Sequence, residues 1–258
     1  MPDDFAPIDL VVVPCLSDNY AFLVHNRDNG ETALIDAPEA GPIKGVLKAK
    51  GWTLTDILIT HHHPDHIDGV AKLREGTRVI GAARDAHRLP DLDKQVADGD
   101  SLTICGVDCH VMDVSGHTNG HIAYHMPEPE LAFTADSLMA LGCGRLFEGT
   151  AEQMWESLQK LRALPEDTII CSGHEYTEGN AKFALSIDPD NSDLIFRYEG
   201  IKAARAAGRP TVPSALDDEK RTNPFLRADD PILKAAIGMA DASDVHVFAE
   251  IRARKDKF

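Results

Sequence analysis

The sequence predicts an α+β protein: a strand-rich first part, then a helical last part. Three observations predict it. Short apolar runs with β-branched residues recur from Ile8 to Cys171, separated by turn signals such as Asn29-Gly30, Gly99-Asp100 and Pro127-Glu128-Pro129-Glu130. Several of these runs end directly on a histidine or an aspartate. After Cys171 no strand signal of any strength remains and helix formers dominate, which places a domain boundary near His174, between residues 1–173 and 174–258.

In chain order, Ile8 to Pro14 reads as the first strand, with Tyr20 to His25 and Thr32 to Asp36 as the next two, joined through Asn26-Arg27-Asp28-Asn29-Gly30. Ser17-Asp18-Asn19-Tyr20 reads as a turn. Asp36 reads as a plain strand-end carboxylate, against the alternative of an acceptor that orients a ligand histidine. Pro42 to Gly51 is a short amphipathic helix closed by its glycine. Asp56 to Ile59 and Thr77 to Ile80 are further strands. Ala82 to Asp93 has no clear period, and His87 within it is an ordinary packing or surface residue. Ser101 to Phe133 alternates as a second sheet, with His110 and His125 structural and His121 a packed polar residue. Ala151 to Leu164 is an amphipathic helix, N-capped by Thr150 with Gln153 at the box position, and its Met154 and Trp155 belong to the core. Asn180 to Ile187, Ser192 to Ala207, Ile232 to Ala240 and Ser243 to Lys255 read as helices, with Gly208 to Pro224 crossing over them.

The chemistry is concentrated in Thr60-His61-His62-His63-Pro64-Asp65-His66, directly after a buried-strand pattern. A helix would place ligands at i and i+4. Here they fall at 61, 63, 65 and 66, so an extended turn must present them, with Pro64 stiffening it. A tag-like run that binds metal adventitiously would lie at a terminus, without a strand before it or an aspartate inside it. One such motif cannot close a two-metal site, but His117, Asp136 and His174 each follow a strand-like run. Ligand number and type point to two metals and to hydrolysis.

These segments resemble the metallo-β-lactamase superfamily, whose signature is His-x-His-x-Asp-His, a separate His, a bridging Asp and a last His. The resemblance narrows to one branch. Ser115-Gly116-His117-Thr118-Asn119-Gly120-His121, Gly142-Cys143-Gly144-Arg145 with Glu148-Gly149-Thr150, Gly173-His174-Glu175-Tyr176-Thr177 and Asn223-Pro224-Phe225-Leu226-Arg227 are similar to the blocks of the glyoxalase II, or hydroxyacylglutathione hydrolase, family. The resemblance implies a four-layer αββα sandwich with a C-terminal helical substrate-binding domain. It implies His61, His63 and His117 on one metal, Asp65, His66 and His174 on the other, and Asp136 bridging, with a shared hydroxide as nucleophile. Zinc is the first choice of metal, with iron or manganese as alternatives. The implied reaction is hydrolysis of S-D-lactoylglutathione to glutathione and D-lactate, the second step of methylglyoxal detoxification. Arg145, Phe147, Tyr176, Arg252 and Lys255 stand at the positions that would hold glutathione. Many relatives have Lys and Tyr where this chain has Arg145 and Phe147, so the charge is kept and one hydroxyl is lost. A persulfide dioxygenase-like iron oxidoreductase and a non-catalytic metal-binding protein are the competing readings. The C-terminal blocks argue against the first, and the full set of seven ligands against the second.

Composition bounds the partners. A formal net charge of −16 over 258 residues disfavours nucleic acid. It also means that an anionic small molecule needs a local cationic patch, for which Arg252, Arg254, Lys255 and Lys257 are candidates. No apolar run approaches a membrane span, and Met1-Pro2-Asp3-Asp4 is acidic where a secretory leader would be basic, so a cytoplasmic protein is expected. Five cysteines in or beside apolar segments read as reduced structural thiols.

Overall fold

The computed structural model describes residues 7–258, and the acidic Met1 to Asp4 stretch lies outside the described residues. The chain divides into two compact units, Met1–Asp113 with Gly120–Thr134, and Val114–Asn119 with Ala135–Phe258. In this division residues 114–119 group with the C-terminal part.

The first unit holds strands β1 (Ile8–Cys15), β2 (Asn19–Asn26) and β3 (Thr32–Ile35), then helix α1 (Ala40–Lys50) and strand β4 (Asp56–Leu58). Two helical turns, α2 (Pro64–Ile67) and α3 (Val70–Leu73), precede β5 (Arg78–Ala82) and β6 (Lys94–Val96). The strands β1 to β3 pair antiparallel and β3 to β6 parallel, so this sheet is mixed. Its second sheet runs through β7 (Ser101–Ile104), β8 (Val107–Asp113), β9 (Ile122–Met126) and β10 (Leu131–Ala135), all antiparallel.

Alternation along β2 shows how the layers form. Ala21 and Leu23 point to the side of α1 and pack in one apolar cluster with Leu34, Ile43, Ile57 and Ile59. Phe22, on the opposite face, meets Phe133 of β10 with ring centroids 5.7 Å apart. The Tyr124 hydroxyl of β9 donates to the Ile59 carbonyl at 2.9 Å, so the two sheets of this unit lie face to face. Gly51 closes α1 in the left-handed conformation, as the sequence requires. Because β3 and β4 are parallel, both release the chain at the same sheet edge, where Asp36 N–H donates to the Leu58 carbonyl at 3.0 Å.

The second unit holds the hairpin β11 (Leu138–Met139) and β12 (Gly142–Cys143), helix α4 (Ala151–Arg162) and strand β13 (Ile169–Ser172). There follow α5 (Thr177–Ile187), α6 (Ser192–Ala206), β14 (Ser214–Ala215), α7 (Leu216–Thr222), α8 (Pro231–Ala236) and α9 (Asp244–Lys257). The capping box of Thr150 and Gln153 forms as expected, and Met154 and Trp155 are buried. Two expectations are corrected here. A strand does occur after Cys171: β14 pairs with β13, but at two residues it is too short to leave a period. The stretch 208–224 is also not merely a crossing segment, since it contains α7, whose Glu219 is fully buried. That carboxylate accepts from Leu141 N at 2.8 Å, Ser214 Oγ at 2.7 Å and Asn223 Nδ2 at 3.1 Å, and pairs with Arg197. Asn223 also donates to the Met139 and Gly142 carbonyls, so the Asn-Pro-Phe-Leu-Arg block pins the β11–β12 hairpin.

All five cysteines are buried thiols; burial pushes Cys105 up to about 12 and Cys143 to about 11, which keeps both protonated and inert. Among the described residues no helix is long and apolar enough to cross a membrane.

Candidate metal centre

In the first unit the metal loop starts at the edge where β3 and β4 end. Asp36 sits there at φ 55°, a left-handed backbone that a non-glycine residue adopts only when its surroundings hold it. They do. Its Oδ1 accepts from Thr60 N at 2.9 Å, and its Oδ2 accepts from Thr60 Oγ1 and from His66 Nδ1, both at 2.8 Å. The plain strand-end reading of Asp36 is therefore corrected: it is the acceptor that orients a candidate ligand, and its strain is offset by three hydrogen bonds.

These bonds fix the ring tautomers. A carboxylate only accepts, so His66 carries its proton on Nδ1 and its lone pair on Nε2. The Thr60 hydroxyl gives its proton to Asp36, so at 3.0 Å from His61 Nδ1 it accepts, and His61 also has its lone pair on Nε2. That nitrogen lies 3.1 Å from His63 Nδ1, and His66 Nε2 lies 3.7 Å from Asp65 Oδ2. Asp65 is in turn clamped by Asn19 Nδ2, which donates to its carbonyl at 3.0 Å and its Oδ2 at 2.9 Å. The turn Ser17-Asp18-Asn19-Tyr20 thus supplies a residue that acts on the metal loop. Pro64 is not an extended stiffener; it takes the N1 position of α2, so Asp65 and His66 already lie in a helical turn.

Two more histidines surround the set. His121 is fully buried and its ring stacks on His61 at 4.5 Å and 15°, so it is a packed polar residue that is also a direct neighbour of a candidate ligand. His62 turns the other way, with Nδ1 3.0 Å from Asp85 Oδ2, while Asp85 also takes Arg88 Nε at 2.5 Å. Nothing in the aperiodic stretch 82–93 marked Asp85.

In the second unit the candidates come from three separate segments. The Gly173 N–H donates to the Ala135 carbonyl at 3.1 Å, which sets the chain after β13 beside the chain after β10. Ala135 has φ 41°, and the turn it makes delivers Asp136 between two imidazoles. Its Oδ2 lies 3.4 Å from His117 Nε2 and 3.3 Å from His174 Nε2. His117 Nδ1 donates to the Arg145 carbonyl at 2.8 Å, so its lone pair is on Nε2, the nitrogen that faces the carboxylate. A lone pair and a carboxylate oxygen at that range repel unless a cation or proton stands near both. Donors of this kind fit divalent metal ions, and the same holds for the four in the first unit. Gly144 makes the approach possible, since a Cβ there would meet the Asp136 carbonyl and lie 2.8 Å from His117 Nδ1.

The expected substrate-binding residues all lie in the second unit. Phe147 is 61% exposed, and its ring meets that of His117 edge-on, with ring centroids 5.2 Å apart. Tyr176 is 43% exposed and stacks on His174 at 4.7 Å and 5°. Arg145 is exposed, with Nε 4.0 Å from Asp256 Oδ1. Lys255 is held below its usual pKa, first by burial and then by the charges of Arg252 and Arg145, so these three form a cationic cluster. Arg252 differs from the others: it is buried and its guanidinium is bonded inward.

Comparison with known proteins gives the family of the chain. The family profile of the metallo-beta-lactamase superfamily matches residues 16–174, and that of the hydroxyacylglutathione hydrolase C-terminus matches residues 175–258. A hydroxyacylglutathione hydrolase of Cereibacter sphaeroides is 63% identical over 98% of this chain and 100% of its own length. Proteins of the same name from Ruegeria pomeroyi and Rhizobium meliloti are 61% and 51% identical, each over 98% of this chain and 100% of their own. Among solved structures, ETHE1 from Myxococcus xanthus superposes with a TM-score of 0.66 at 24% identity, over 95% of this chain and 89% of that one, a likeness of fold. Full-length identity, both family segments and the donor set agree: the chain belongs to the hydroxyacylglutathione hydrolase family, with the metallo-β-lactamase fold and a C-terminal helical segment.

Proposed function

We propose that the chain is a binuclear metal-dependent thioester hydrolase that converts S-D-lactoylglutathione and related hydroxyacylglutathiones to glutathione and the free acid. His61, His63 and His117 would hold one ion, Asp65, His66 and His174 the other, and Asp136 would bridge them, with zinc the metal of first choice. The observation that carries this reading is the set of tautomers: Asp36, Thr60 and the Arg145 carbonyl each accept a hydrogen bond from the Nδ1–H of a candidate ligand ring, which leaves Nε2 as its donor atom. When bound, two divalent ions supply the Lewis acidity that brings the pKa of a water toward neutrality and draws electron density from a thioester carbonyl.

The chain's own residues do the rest. Asp136 and Asp65 contribute negative charge that balances the ions. Phe147 and Tyr176 flank the ligand rings of their unit and offer flat apolar walls to the substrate. Arg145 and Lys255 offer charge to the carboxylates of glutathione, and guanidinium geometry suits a two-point grip. Residues 174–258 would be the part that binds the tripeptide. Water gives up one proton and its oxygen bonds to the carbonyl carbon, the C–S bond breaks to give the free acid and a thiolate, and the thiolate takes up a proton from solvent to become glutathione; a thiolate is a good enough leaving group that no Ser, Cys or Lys nucleophile of the chain is needed. The test is the initial rate of thioester loss from S-D-lactoylglutathione with zinc-loaded protein, before and after chelation. Fast hydrolysis that chelation abolishes and zinc restores is the expected result; full activity in metal-free protein would overturn the reading.

A further inference from the structure

The metal loop carries three consecutive histidines, and the middle one is held by a carboxylate 23 residues further on. Asp85 ends the helical turn Ala83–Asp85 that follows β5, and it is 1% exposed. Its Oδ2 accepts from His62 Nδ1 at 3.0 Å and its Oδ1 from Arg88 Nε at 2.5 Å. Arg88 Nη1 lies 3.3 Å from His62 Nε2, and because a guanidinium only donates, that nitrogen accepts. His62 is thus a neutral ring with both nitrogens engaged, one by a carboxylate and one by a guanidinium. The carboxylate has no room to follow a moving loop. A Cβ at Gly120 would lie 2.8 Å from Asp85 Cβ and Cγ, so the backbone there packs directly on it, and two residues on the Ile122 N–H donates to the Thr60 carbonyl at 3.0 Å. The His62 ring in turn meets the His63 ring at 66°, with centroids 4.9 Å apart. Any displacement of His62 therefore presses on a candidate ligand.

We infer that Asp85 is a positioning residue for the metal loop: it holds His62 by Nδ1, with Arg88 over Nε2, and through His62 it sets the ring of His63. This rests on the reading of His61 and His63 as ligands. Neighbouring side chains of an extended segment alternate in direction, so His61 and His63 share a side only while His62 stays on the other. Asp85 is what keeps it there. Its part differs from that of Asp36, which accepts directly from the candidate ligand His66. Asp85 acts on a histidine outside the ligand set, so its effect on the metal must pass through His62.

The experiment compares wild type, Asp85→Ala, His62→Ala, His62→Asn and the double variant Asp85→Ala/His62→Ala by two readouts: zinc retained against graded EDTA, and KM and kcat for S-D-lactoylglutathione. Asp85→Ala and His62→Ala are each expected to reduce zinc retention by about tenfold and to lower kcat with KM unchanged. The double variant should lose no more than either alone, because both changes break one link. His62→Asn, whose amide can still donate to Asp85, should recover most of the zinc. If Asp85→Ala is too unstable to purify, His62→Ala removes the same link from the other end and carries the test with His62→Asn. Wild-type zinc retention in His62→Ala, no recovery in His62→Asn, or a double variant that loses the product of the two single losses would overturn the inference and leave Asp85 as packing beneath Gly120. Wild-type protein that retains no zinc would instead overturn the ligand reading beneath it.

Discussion

The two units hold their candidate ligands by different means. In the first, four ligands come from one loop of six residues, and polar side chains orient them: Asp36 and Thr60 act on His66 and His61, and Asn19 on Asp65. In the second, His117, Asp136 and His174 come from three distant segments and are held by backbone: the Arg145 carbonyl, the Gly173 to Ala135 hydrogen bond, and the missing Cβ of Gly144. A side-chain acceptor can be lost while the loop remains. A backbone contact cannot be altered without moving the chain, so the second unit tolerates less.

The largest effect expected from this contrast is at Gly144→Ala, where the added methyl meets backbone as well as a ligand ring. It should cost about 3 kcal/mol of stability and abolish zinc binding, read by urea unfolding and metal content. Near wild-type stability would break the contrast. Asp36→Ala should leave the fold intact but reduce zinc retention by roughly 10- to 100-fold, since His66 loses its proton acceptor and Thr60 N–H its partner. If Asp36→Ala unfolds the protein as readily as Gly144→Ala, the two units do not differ as described. A smaller change is expected from Phe147→Tyr on the exposed face of the second unit: a hydroxyl able to bond the substrate should lower KM several-fold, about 1 kcal/mol, with kcat unchanged. An unchanged KM would remove Phe147 from substrate binding.

The smallest effect lies on the β7–β10 sheet of the first unit. His125 faces His110 across β8 and β9, and burial first, then the charge of His110, lowers its pKa below the ordinary 6.5. Its neutral form is the one the fold favours. The unfolded chain takes up the proton first as pH falls, so this contribution is present above pH 6.5 and is lost as the pH drops through the folded-state value. Thermal melting at pH 7.5 and pH 5 should show a drop on acidification that His125→Gln narrows. An equal drop in the variant would assign it to other groups.

Sequence alone determined the α+β class and the family, and marked the candidate ligands and the strand before each of them, because local period and motif spacing are properties of consecutive residues. Thr60 to His66 was legible for that reason. So was the capping box of α4, whose partners are three residues apart. Other features required the tertiary structure. Asp36 and Asn19 lie 30 and 46 residues from the side chains they hold, and no spacing links them. Asp85 sits in a stretch without period, and β14 is too short to have one. Arg252 shows the limit most clearly: by composition it belongs to a basic tail, yet it is buried against a carbonyl 109 residues away. Whether a charge meets solvent or a backbone group is decided by which segments pack around it, and that is fixed only when the chain is folded.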